Sequence, residues 1–316
     1  LFFTLGIYYA NIQITQSKKF KTLADQNRIR TKIYPGKRGN ILDCEGNIIA
    51  ENIQSYRLIL NECCHNQIEE IIDKIEGIIS CETDISKTGI TKHLRNYKLY
   101  RMPVVILNRL TWSMVSKLVS TIDLIGKIEI EETKIRYYHN IPGICHISGY
   151  IARASSSDIR DEITTHIQDF EVGKNGLEKY YEKQLQGLPI IQKTEVNASC
   201  ILVRHVETIR GKPGLNIRTS IDTRMQKAAA AAMSNKNGSI VIVNAKDGGI
   251  ASMYSSPTYD PNSFIGGINS EDWNKLLTHP NHPLINKAIT STYPPGSTFK
   301  LIVALAILKY GINPED

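Results

Sequence analysis

Near its C-terminal end the chain carries a run, Phe299 to Leu308, in which every residue except Lys300 is apolar. A helix built from such a run has no polar face to turn toward water, so it belongs inside a domain with other elements packed around it. Its start is sharply marked. The segment Tyr293-Pro294-Pro295-Gly296 cannot continue an upstream helix but suits the opening of a new one, and Gly311 stops it. Ser297 falls in the first turn, where unpaired N–H groups and the positive end of the helix dipole favour a developing alkoxide. Lys300, three residues on, lies on the same face within reach of the Ser297 hydroxyl. Burial is expected to strip water from its ammonium and favour the neutral form that accepts the serine proton. Ser-x-x-Lys alone recurs by chance in a chain of this length. Pro-Pro-Gly before it and the apolar run after it are what give it weight here.

Upstream of that unit the chain mixes short elements. At 316 residues it exceeds what one core usually organises, so two domains are expected. Residues 15 to 35 read as helix running into an extended basic segment, and Arg38 to Ala50 as a hairpin around Asp43-Cys44-Glu45-Gly46. Gln54 to Leu60 alternates as a strand, Asn66 to Ile79 has helical spacing, Tyr97 to Asn108 reads as strand and Trp112 to Thr121 as helix. Ile128 to Tyr138 alternates again. Then Ser220-Ile221-Asp222 caps a helix through Gln226 and the alanine run Ala228 to Ala232. Ser239 to Val243 reads as a buried strand, turned at Lys246-Asp247-Gly248-Gly249 into Ile250 to Tyr254. The segment Ser255 to Asn269 is a loop. The first 200 residues offer no nucleophile–base pair and no phosphate loop.

Leu1 to Ile14 carries no charge and is rich in Leu, Phe, Ile and Tyr. It is short of the roughly 20 apolar residues that span a bilayer. With no methionine at the start, it reads as the end of a membrane anchor within a longer chain, a buried core helix being the alternative. Lys18 and Lys19 follow like the exit of a span.

Composition removes other classes. Lys and Arg total 38 against 31 Asp and Glu, a net charge of +7. These charges are scattered and aromatics are only 7%, so nucleic-acid binding is not expected. Mean hydropathy is −0.22, which excludes a multi-span membrane protein. Six cysteines (Cys44, Cys63, Cys64, Cys81, Cys145 and Cys200) form no Cys-x-x-Cys pair. Cys63-Cys64-His65 with Cys81 lacks a second ligand pair, so no metal site and no cofactor is expected.

Several blocks, in order, carry a family resemblance: Asn27-Arg28-Ile29-Arg30, Arg38-Gly39-Asn40-Ile41-Leu42-Asp43 with Gly46, His146-Ile147-Ser148-Gly149-Tyr150, and Gly173-Lys174-Asn175-Gly176-Leu177-Glu178. They continue with Thr219-Ser220-Ile221-Asp222 and Gln226, Ser256-Pro257-Thr258-Tyr259-Asp260-Pro261-Asn262, Pro283 to Ala288, and the serine motif. The chain resembles the class B penicillin-binding proteins, peptidoglycan D,D-transpeptidases, and most of all their elongation-type, penicillin-binding protein 2 branch. The resemblance implies an α+β protein with a partial transmembrane anchor at 1–14 and an elongated non-catalytic pedestal at 15–205. The beginning of a penicillin-binding/transpeptidase domain of serine β-lactamase-like fold would follow at 206–316. Ser297 would be the acylated nucleophile and Lys300 its base or proton relay. The substrates would be stem peptides ending in D-Ala-D-Ala, with β-lactams as inhibitors. The partners would be a SEDS-type glycosyltransferase and elongation-complex scaffold proteins, with the body outside the cytoplasmic membrane. Cys44, Glu45 and Lys287 depart from the commoner family residues. The family's Ser-x-Asn and Lys-Thr-Gly elements would lie beyond Asp316, and 1–316 alone is expected to be inactive without them. The alternatives are the division-specific relative and a non-catalytic, membrane-tethered interaction module.

Overall fold

The computed structural model describes residues 2–16, 28–60, 75, 77, 104–125, 128–155, 157–158, 170–196, 202–234 and 236–311. The helix expected at 66–79 lies outside them except for Ile75 and Gly77, as do Cys63, Cys64, Cys81 and Cys200. The chain opens with helix α1 (Phe2–Ala10), prolonged by a wider π-helical turn over Asn11–Thr15. No helix among the described residues is long and apolar enough to cross a membrane.

Strands β1 (Ile29–Tyr34), β2 (Ile41–Leu42), β3 (Ile48–Leu60) and β4 (Val104–Leu110) follow. Helix α2 (Trp112–Ile125), expected as a helix over 112–121, buries Met114, Val115 and Leu118 while Trp112 and Val119 face solvent, an amphipathic arrangement. Strand β5 (Ile128–Tyr138) pairs antiparallel with β3 in unbroken register from Ala50↔Tyr138 to Leu60↔Ile128. Its alternation suits a strand with one face on the core. Short elements come next: α3 (Cys145–Ser148), β6 (Ile151–Arg153), β7 (Glu171–Gly173), α4 (Gly176–Tyr180) and α5 (Glu182–Leu185). Strands β8 (Ile190–Val196), β9 (Leu202–Ile209) and β10 (Ile217–Arg218) lead to helix α6 (Thr223–Ala232). The last part holds the β11 (Gly238–Val243) and β12 (Ile250–Ser256) ribbon, then α7 (Ser270–Thr278), α8 (Lys287–Thr290) and α9 (Phe299–Tyr310).

The five-stranded sheet runs β10-β2-β3-β4, with β5 on the other side of β3. Strands β1, β8 and β9 form an antiparallel three-stranded sheet of their own. The main apolar core lies where β2, the start of β3, α3 and α5 meet: Ile41, Ile49, Tyr138, Ile147 and Leu185 are all buried there. Ile221 and Ile265 close it, so the core draws on residues from both sides of position 205. A second cluster, Cys145 with Tyr259 and Phe264, ties α3 to the segment after β12. Cys44 and Cys145 are both free thiols.

Two elements whose local sequence reads as buried are open within residues 1–316. Strand β11, expected inside, leaves Val241 and Val243 at 44% and 53% exposure, because its ribbon pairs only with β12 among the described strands. Helix α9, expected to be surrounded, has no buried residue. Among the described elements only the turn before it packs on it appreciably.

Candidate active site

The serine unit is built as its local sequence dictates. Pro295 lies in the helical region, Gly296 takes φ +55, and Gly296–Thr298 forms one 3-10 turn that runs directly into α9. The left-handed φ at Gly296 is the conformation that a side chain would resist. Ser297 thus sits at the N-terminal end of a twelve-residue helix, and Thr298 closes the turn by bonding back to the Pro295 carbonyl. Gly311, at φ +69, ends the helix in the left-handed conformation.

Ser297 and Lys300 are therefore one turn apart on the same helical end, as the spacing predicts. Both are exposed, and no hydrogen bond joins them. The desolvated lysine expected from the apolar run is thus corrected. Phe299, Leu301, Ile302, Leu305 and Leu308 are themselves 50–73% exposed, so no apolar shell closes around Lys300.

The segment leading into the serine turn is held much more firmly. Asn286 caps α8 through its side-chain oxygen, which accepts from Ala288 N at 3.1 Å, while its Nδ2 donates to the His146 carbonyl at 3.2 Å. Lys287 is buried, its backbone N–H donating to Ser255 Oγ and its Nζ to the carbonyls of Asn281 and His282 at 2.8 and 3.2 Å. Desolvation lowers its pKa. A point charge suffices for two carbonyls, so lysine in place of the family's commoner arginine is accommodated.

The other sequence blocks converge behind this segment. Asn262 pairs with both backbone groups of Tyr138: its Oδ1 accepts from Tyr138 N and its Nδ2 donates to Tyr138 O, each at 2.9 Å. Tyr259 donates to the Cys145 carbonyl at 3.3 Å and meets His146 edge-on. Burial lowers the His146 imidazole to about 4, aided by the charge of Lys287. Gly149, at φ +72, lets the chain pass so close to Asn175 that a Cβ would stand 2.0 Å from its carbonyl oxygen.

Glu178 is the hub beneath. Fully buried, it accepts from Arg38 Nε at 2.7 Å, Arg136 Nε at 2.8 Å and the Tyr138 hydroxyl at 3.2 Å. Arg38 also reaches Glu182 at 2.6 Å. Burial opposes the charge of Arg38, but bonds to the two carboxylates outweigh it and raise its pKa. Burial raises the Tyr138 phenol. Asp43, though penalised by burial, is held below the usual carboxylate range by bonds from Asn47, Thr223 and the Glu45 N–H. It thereby ties the hairpin turn to the start of α6, where Asp222 caps the Arg224 and Met225 N–H groups. Bonds from Arg224 lower Asp222 to about 2. Sequence reasoning named these blocks without finding the contacts between them, because each partner lies far away along the chain.

Known proteins resemble this chain along most of its length. The penicillin-binding protein dimerisation domain matches residues 33–219, and the penicillin-binding protein transpeptidase domain matches residues 238–316. The chain belongs to the class B penicillin-binding proteins. The peptidoglycan D,D-transpeptidase MrdA of Escherichia coli K12 is 26% identical over 307 residues, covering 96% of this penicillin-binding protein and 48% of the relative. MrdA of Acinetobacter baumannii is 29% identical, covering 98% and 46%. Among solved structures, the complex of penicillin-binding protein 2 with MreC from Helicobacter pylori superposes with a TM-score of 0.72 at 27% identity, covering 89% of this chain and 52% of that one. The chain spans about half the length of the curated relatives it matches. Within it, Ser297 and Lys300 fall inside the stretch matched by the transpeptidase domain.

Proposed function

We propose that this penicillin-binding protein is the pedestal and the acylating serine unit of an elongation-type peptidoglycan D,D-transpeptidase. The observation that carries the reading is Ser297 at the N-terminus of α9, one turn from Lys300, in the stretch matched by the transpeptidase domain. Lys300 takes the Ser297 proton, directly or through a relay, as Oγ attacks the penultimate D-Ala carbonyl of a stem peptide. The new C–O bond replaces the C–N bond, the proton goes to the departing D-Ala amine, and an amine of a neighbouring stem then resolves the acyl-enzyme. The unpaired N–H groups at the helix start favour the alkoxide. In this reading residues 15–205 are the pedestal and 206–316 begin the catalytic domain. Leu1 to Ile14 ends a membrane anchor that keeps the body outside the cytoplasmic membrane. A SEDS-type glycosyltransferase and scaffold proteins are the partners, a reading supported by the MreC complex of the Helicobacter pylori relative.

The bare α9 and ribbon favour one further statement. In this reading the serine unit works where family elements of the Ser-x-Asn and Lys-Thr-Gly kind cover α9 and supply the oxyanion donor. The test is labelling by a fluorescent β-lactam. A form that carries those elements is expected to label, residues 1–316 by themselves to label little, and Ser297→Ala to abolish labelling. Equal labelling of 1–316 and of the form with those elements would refute the need for covering elements. Undiminished labelling of Ser297→Ala would refute the nucleophile.

A further inference from the structure

Between β5 and the β1–β8 sheet lies a cleft of about 760 Å³. That volume falls within the roughly 300–1,000 Å³ of sites that enclose drug-sized ligands. Neither Ser297 nor Lys300 lines it. Charged side chains of both signs surround it. Lys37, Arg57, Arg109, Lys134 and Arg136 reach it, together with Arg38, against Glu132 and Glu171. Arg38, Arg57 and Arg136 are committed to Glu178, Glu182 and Glu131, Arg109 donates through Nη2 to the Asn262 carbonyl at 2.9 Å, and Glu171 accepts from the Gly266 N–H at 3.2 Å. Lys37 and Lys134 are exposed and enter no ion pair among the described residues. Beneath them, Arg109 Nε and Arg136 Nη2 are buried with no acceptor among the described residues. These two buried N–H groups are donors that an acceptor entering the cleft would satisfy, and a buried donor left unmet costs stability. The floor is apolar: Ile151, Phe170 and Ile265 line it and are nearly inaccessible to solvent.

We propose that this cleft binds an organic oxyanion, a carboxylate or phosphate head on an apolar body. The head sits between Lys37 and Lys134, and the body lies against Phe170 and its neighbours. The site is separate from acyl transfer and does not depend on that assignment. Its test is calorimetric titration of the whole chain with phenyl phosphate, benzoate and neutral benzyl alcohol. Saturable one-to-one binding of at least one anion, with none of the alcohol, is expected, and the tighter anion identifies the head group. Raising the salt should weaken binding. The double variant Lys37→Gln/Lys134→Gln should weaken it about tenfold, about 1.4 kcal/mol, with an unchanged unfolding midpoint, since both side chains are exposed. Absence of saturable anion binding overturns the proposal. So does alcohol binding as tight as that of the anions, or undiminished binding by the double variant.

Discussion

Glu178 accepts two guanidinium groups and a phenol with no exposure to solvent. Removing one charge from such a buried set leaves the others uncompensated, which typically costs about 3–5 kcal/mol. Glu178→Gln is therefore expected to lower stability by about that much in urea denaturation. Glu182→Gln, at a carboxylate 21% exposed, should cost clearly less. Equal costs would contradict the assignment of Glu178 as the hub. His146 sets a pH dependence. Its folded-state value of about 4 lies below the 6.5 of a free imidazole, so the unfolded chain takes up the proton first. Stability should thus be unaffected above pH about 6.5 and fall as the pH drops from there toward 4, by roughly 2–3 kcal/mol at the lower end. In His146→Gln that part of the decline should disappear. A decline of the same size in the variant would show that other groups cause it.

At the scale of elements, α6 and β12 are locked by one side chain. Gln226, fully buried, donates to the carbonyls of Pro142 and Met253 and accepts from Ser252 Oγ and Met253 N. Gln226→Leu would strand these groups, and about 3 kcal/mol of stability should be lost, a typical cost for buried unmet polar atoms. A loss below 1 kcal/mol in urea denaturation would mean that water replaces the amide. Much of this level was legible in the sequence where a signal is local: the alternation of Ile128 to Tyr138, the Asp222 cap, the turn at 246–249 and the Pro-Pro-Gly-Ser unit. Burial was not, because five residues such as Ser239 to Val243 read alike in a covered sheet and in a bare ribbon. The supports of the site were hidden for another reason. Glu178 lies 140 residues from Arg38 and 42 from Arg136, separations that no local pattern spans. The Asn286 clamp on His146 is equally remote in sequence.

Across the whole molecule, one core joins residues from the dimerisation-domain match to Ile265 in the transpeptidase-domain match. Asn286 and Lys287 then fix the chain against α3 and β12 just before the serine turn. Position and helix dipole at Ser297 are thus set by the residues that lead into α9. The central claim is that Ser297 is the residue acylated. Its most direct measurement is peptide mapping by mass spectrometry after benzylpenicillin treatment of a form that carries the Ser-x-Asn and Lys-Thr-Gly elements. One penicilloyl group on the peptide containing Ser297, and none on any peptide of Ser297→Ala, is the expected result. An adduct on a different residue, or one that persists in Ser297→Ala, would contradict the assignment.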